Sequence, residues 1–149
     1  MENVGTGFLG TRANWVVDLN LIVQILLLVV LVGGLVQAKR RSLTVHHTWM
    51  TAIVAVNAIM IVAVMNPAFF RLLPVVWHRL GALGPKLLWL HVVVATLAEL
   101  MGLYAVLSLR MDLPELLRVR NLKWFMRIAF VLWTVALIGG IVIYWGRYM

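Results

Sequence analysis

No cysteine occurs in this 149-residue chain. That excludes disulfides, cysteine-based zinc sites and thiol catalysis. Charge is scarce too: only 12% of the residues are Asp, Glu, Lys or Arg, whereas 64% are hydrophobic. The chain has no phosphate-binding loop, no nucleotide fingerprint and no spacing of a hydrolase triad, so a non-enzymatic protein is expected. It contains no internal repeat and no low-complexity tract. A cleavable signal peptide is not expected. The first apolar run is preceded by Glu2 and a single Arg12 and followed by Lys39-Arg40-Arg41, the reverse of the basic-then-apolar order of a signal.

What fills the chain is apolar sequence. Mean hydropathy is +1.01, more than a soluble domain of this size can hide. Four apolar runs are each about long enough to cross a bilayer as a helix, at roughly 15–37, 46–66, 86–108 and 124–146. The expected fold is all-α: a transmembrane four-helix bundle forming a single domain, with a short interfacial segment between spans two and three. Pro67 is expected to end span two. Phe69 to Leu83 then reads as an amphipathic interfacial loop, anchored by Phe69 and Trp77, with Arg71 and Arg79 towards phosphate. Asp112-Leu113-Pro114-Glu115 reads as a helix start, giving a short surface helix from Asp112 to about Arg120.

The formal net charge of +8 does not point to nucleic acid, because the basic residues flank apolar runs. Lipid headgroups and membrane orientation account for them. Lys39, Arg40, Arg41, Arg110, Arg118, Arg120, Lys123 and Arg127 fall on one side. Arg12, Arg71, Arg79, Lys86 and Arg147 fall on the other. The bias places both termini outside and the loops after spans one and three in the cytoplasm of a bacterial or archaeal cell, in its inner membrane.

Against this background the polar residues of the spans stand out, since ionisable groups at membrane depth are costly and by default functional candidates. In span three, His91, Ala95, Glu99 and Gly102 share one face, a small-and-polar stripe expected to meet other helices. Span four carries a similar stripe: Ala129, Trp133, Ala136, Gly140 and Tyr144. Span two presents His46, Met50, Ile53, Asn57, Ile61 and Val64 at helical spacing. In span one, Asp18 lies on one face and Asn20 and Gln24 roughly opposite, so only one set is expected to face the bundle centre.

Depth decides which of these can meet. Glu99 and Asn57 both fall near the midplane, and are expected to form a structural polar pair, with a proton relay as the functional alternative. His91 and Asp18 share an outer level with Tyr144. His46 and His47 lie at the inner end, about 25 Å or more from His91 along the normal. Haem b is therefore considered with His91 as ligand, paired with His78 if the second loop folds back, or alone with one open position. His46 and His47, also candidate cofactor ligands, are excluded by depth from sharing an iron with His91, and point about 100° apart as interfacial histidines that touch headgroups can. A metal site from Asp18 and His91, with His78 as a further ligand, is the second expectation, with copper ranked below haem. A simple hydrogen bond from His91 to Asp18 or to a backbone carbonyl competes with both. A quinone or lipid pocket bordered by Trp15, His91, Trp133 and Tyr144 is the third.

Several segments together carry a family likeness. They are Leu9-Gly10-Thr11-Arg12-Ala13, Asp18-Leu19-Asn20-Leu21, His46-His47-Thr48-Trp49-Met50, Leu90-His91, Lys123-Trp124-Phe125-Met126-Arg127 and Leu132-Trp133. Together they resemble the CtaM-like (YozB-type) family of small four-span bacterial membrane proteins. The resemblance implies an accessory or assembly role for a haem–copper respiratory oxidase, handling haem or copper, with oxidase subunits and membrane lipids as partners. His46 or His47, and His91, fall where that family places histidines. Asn66 stands where a third is expected, and Asn121 and Lys123 near a fourth. The alternative is a small haem b cytochrome, or a small subunit of a larger respiratory electron-transfer complex.

Overall fold

The computed structural model describes residues 7–78, 82–111 and 119–149. Helix α1 (Trp15–Lys39) starts where the Asn14 side chain accepts from Val17 N at 3.0 Å, satisfying an otherwise orphaned amide. A tight turn follows, with Arg41 at φ 60°, a left-handed conformation uncommon for a residue with a Cβ. Helix α2 (Leu43–Met60) leads into a π-helical turn, Ile61–Met65, and on into α3 (Asn66–His78). Helix α4 (Leu83–Arg110) carries Pro85 in its first turn, where a missing N–H costs nothing. Helix α5 (Leu122–Tyr148) is capped by the Asn121 side chain on Trp124 N.

The four long helices form a ring. α1 packs on α2 and α5, α4 packs on α2 and α5, and the diagonal pairs α1/α4 and α2/α5 face each other across the centre. This is the up-down arrangement of an antiparallel bundle. Four helical stretches are long and apolar enough to cross a membrane: Trp15–Lys39, Leu43–Pro74, Leu83–Arg110 and Leu122–Tyr148. The protein is an all-α multi-pass membrane bundle, and among the described residues there is no strand. Leu26, Val29, Ile59, Val62, Leu100, Val131 and Val142 point outward and are exposed, as residues that contact lipid do.

The core is built of Leu27, Leu31, Ile53, Val54, Ala98, Trp133, Ala136 and Leu137. Lipid offers apolar side chains as good a home as the interior does, so close packing and interhelical hydrogen bonds must hold the helices together. Trp133 supplies both. Its ring lies against Gly102, where a Cβ would come within 3.2 Å of it, and its Nε1 donates to the Ala98 carbonyl at 2.6 Å. The stripes expected to face inward do so: Glu99 and Gly102 on α4, and Ala129, Trp133, Ala136 and Tyr144 on α5, are buried.

Two expectations are corrected. Pro67 does not end the second span. Lacking an N–H, it leaves the Ala63 carbonyl without its usual donor. The chain widens into a π turn instead, Asn66 N donating to Ile61 O, and helix continues to His78. Phe69 to His78 is accordingly helix and not loop. The Trp77 side chain, Arg79 and the helix expected from Asp112 fall outside the described residues, apart from Val119 and Arg120, which are not helical. The helices also outrun the apolar cores of the spans by two or more residues at most ends, because polar flanks such as Lys39 and Arg110 are themselves helical.

Candidate functional site

At the end of the bundle that holds both described termini, Asp18 is fully buried. The segment 7–13 folds back over it. Its carboxyl group accepts from Leu9 N at 3.0 Å, Thr11 Oγ1 at 3.1 Å and the Tyr144 hydroxyl at 2.5 Å. Thr11 Oγ1 and Tyr144 OH also lie 2.9 Å apart. Two hydroxyl protons thus serve three oxygen contacts, and the shortest, from Tyr144 to Asp18, fixes where one goes. Ala13 N donates to Thr11 Oγ1, and Arg12 N to Tyr148 O. A Cβ on Gly7 would collide with the Asp18 carboxyl, so only glycine admits this fold-back. Asp18 is therefore a clasp holding the leading segment to α1 and α5. The expected Asp18–His91 hydrogen bond is absent, and the expected Asp18–His91 metal site is not assembled. Asp18 already has three donors and His91 is not among them, and among the described residues no three His, Asp or Glu side chains converge.

A second polar system crosses the middle. Gln24 Nε2 lies 3.5 Å from Asn20 Oδ1 and donates to Asn57 Oδ1 at 3.3 Å; Asn57 Nδ2 donates to Glu99 Oε2 at 2.9 Å. Three helices are joined through one buried line, and the Asn57–Glu99 pair expected from depth is present. Glu99 Oε1 is buried without a partner. Asp18 and Gln24 are both interior, although they sit on different faces of α1. The clasp covers one face and the bundle the other, so the expectation that only one set could be inward is overturned.

His91 stands at the wall of a cavity of about 790 Å³ bounded by α1, α3, α4 and α5. Its ring lies against Gly139 and Gly140, where added Cβ atoms would come 3.2 Å from Nδ1 and 3.4 Å from Cε1. Nδ1 is buried without a hydrogen-bond partner. That is costly for an imidazole nitrogen and marks the group as one that awaits a partner. The other polar wall residues are Asn20, Gln24, Asn66, Thr96, Tyr144, Arg147 and Tyr148. The apolar face of α3, with Phe69, Leu72 and Val76, covers one side. Phe69 meets the edge of Trp89 at 5.3 Å between ring centres. His78 is exposed at the end of α3 and is not on this wall, so it does not pair with His91. Trp15 is exposed and Trp133 lines a different cavity, so of the four residues expected around a quinone pocket only His91 and Tyr144 share one.

The other cavity, of about 530 Å³, lies at the opposite end, lined by residues of α1, α2, α4 and α5 including His46 and His47. Ala95 of α4 lines the first cavity and Gly102 the second. Glu99, between them in sequence, stands in the partition. Gly7 and Trp89 were not singled out from the sequence, and Thr11 only as part of the segment Leu9-Gly10-Thr11-Arg12-Ala13. Thr11 and Gly7 lie in an irregular segment whose only cue was the buried acid it would have to satisfy.

The fold and these sites define a four-span integral membrane bundle with a hydrogen-bonded polar interior and two histidine-bearing cavities. No family model matches the chain, and no curated protein or solved structure matches it.

Proposed function

We propose that this protein is a non-enzymatic accessory factor of a haem–copper respiratory oxidase, and that the cavity at His91 receives haem. The observation that carries the reading is a half-buried imidazole, its Nδ1 unpartnered against Gly139, on the wall of a cavity within the roughly 300–1,000 Å³ of cofactor pockets. The link to an oxidase rests on the likeness of the quoted segments to CtaM-like proteins. The residues suit haem better than copper. Imidazole is the usual haem ligand, the walls are chiefly apolar, and His91 is the only His, Asp or Glu among the described wall residues. Haem bound there would be held by His91 and would supply a redox-active iron. A single protein ligand in a wide cavity favours a group that is handed on over one held permanently.

The test is purification of the native protein in mild detergent. Oxidase subunits should accompany it. Added hemin should bind with a Soret band, and His91→Ala should lower the stoichiometry by one hemin per chain while the four spans remain inserted. Hemin uptake unchanged by His91→Ala would overturn the ligand assignment, and purification free of any oxidase subunit would overturn the accessory role.

A further inference from the structure

The inner cavity carries a site of its own, independent of the reading of His91. Helices α2 and α5 run the same way on opposite corners of the ring and do not pack on each other. His46 is the fourth residue of α2 and Met126 the fifth of α5. Val54 of α2 and Trp133 of α5 both reach Gly102, and His46 and Met126 precede them by eight and seven residues, so their depths agree to about one residue, roughly 1.5 Å. Both line the same cavity, from opposite walls. The His46 ring is already oriented. Its Nδ1 lies 2.8 Å from the Gly34 carbonyl oxygen, which can only accept, so Nδ1 carries the proton and Nε2 keeps its lone pair. That is the arrangement by which ligating histidines are held, the far nitrogen bound to a carbonyl and the near one free. A Cβ on Gly34 would lie 3.8 Å from His46 Nδ1 and would displace the flexible end of Met50.

The cavity is long enough for a flat ligand. From His46 to Val54, which lines its inner part with Trp133, is eight residues of helix, about 12 Å. One cation is on the wall: Arg127, with its guanidinium 5.4 Å from the centre of the Trp124 ring. A ligand with an apolar plate, two carboxylates at one edge and an acceptor for nitrogen and thioether on its two faces meets all of these features. From these features we infer that the inner cavity is a haem b site with His46 Nε2 and Met126 Sδ as axial ligands, and Arg127 and His47 at the edge that carries the propionates. Imidazole and thioether are an established axial pair for haem iron. Two protein ligands hold the group in place, in contrast to the single histidine of the outer cavity.

Hemin titration of the full chain in detergent tests this, in the His91→Ala background so that the outer cavity does not contribute. One hemin per chain should bind and give a low-spin spectrum, with the weak far-red ferric band of a thioether–iron bond. Adding His46→Ala should abolish that binding. Adding Met126→Leu, which conserves volume, should keep hemin bound but remove the far-red band and shift the iron to high spin. Met126→His should restore low spin without the band. Gly34→Leu should lower occupancy by displacing the His46 ring. No stoichiometric binding, or a spectrum unaffected by Met126→Leu, would overturn the assignment even if His46→Ala fails to fold. Loss of hemin from the parent by His91→Ala alone would show that the outer cavity is the sole haem site.

Discussion

Two acids sit inside this bundle, and their surroundings make them different kinds of residue. Asp18 is saturated: three donors converge on it, from the leading segment and from α5. Hydrogen bonds to a charged acceptor contribute about 1.5–3 kcal/mol each. Asp18→Ala should therefore destabilise by at least about 2 kcal/mol and free the segment ahead of α1. Limited proteolysis reads the release: cleavage near Gly10 should become rapid in the variant, and a parent-like digestion rate would mean the clasp does not hold the segment. Glu99 is only half satisfied, with Oε2 on Asn57 and Oε1 alone. Glu99→Gln keeps an acceptor for Asn57 at nearly the same volume and should be close to neutral. Glu99→Leu strands Asn57 Nδ2, at a cost on the order of 1 kcal/mol in a membrane bundle. Detergent unfolding of the two variants separates these outcomes. A Gln variant that is fully stable but inactive would move Glu99 from structural pairing to proton relay.

At the scale of the element, what was legible in the sequence is what periodicity and cost can carry. Apolar length located four spans. The cost of burying polar groups picked out Glu99 with Asn57, and small residues at helical spacing predicted the inward faces of α4 and α5. What was not legible depends on backbone that periodicity does not describe. Proline is ordinarily read as a stop, yet the chain shifts to a π turn over Ile61–Met65 and continues as helix through Pro67. The fold-back that buries Asp18 depends on Gly7 and Thr11, neither of which has a pattern to announce it. The π turn also sets the rotation of α3. One extra residue in the turn rotates everything beyond it by about 100°, and that rotation brings Phe69, Leu72 and Val76 onto the outer cavity. Pro67→Ala returns a donor to the Ala63 carbonyl and should let the turn relax to α-helix, swinging this face away. Spin labels at Leu72→Cys and Ile143→Cys, both on the cavity wall, should report a single distance in the parent and a changed one in Pro67→Ala. An unchanged distance would mean that packing and not proline keeps the π turn.

The whole molecule is a ring of helices with its interior divided in two. The partition is built from Asn57, Glu99 and the Trp133 ring, with the His91 cavity beyond one face and the His46 cavity beyond the other. Which cavity opens to which side of the membrane depends on orientation, and basic residues decide that: eight flank the loops after spans one and three and five the opposite ends, as named above. Lys and Arg are retained on the cytoplasmic side, so the His46 cavity, with Arg127 on its wall, should face the cytoplasm and the His91 cavity the outside. The absence of cysteine makes this simple to measure, because any introduced thiol is the only one. Phe8, Thr44 and Met149 are exposed, so each can be replaced by cysteine without opening the core. In intact cells a membrane-impermeant maleimide should label Phe8→Cys and Met149→Cys. Thr44→Cys should react only after permeabilisation. The reverse pattern would invert the bundle and place the single-histidine cavity on the cytoplasmic side. It would leave the packing, the clasp and both histidine environments as they are, since none of them depends on which face is outside.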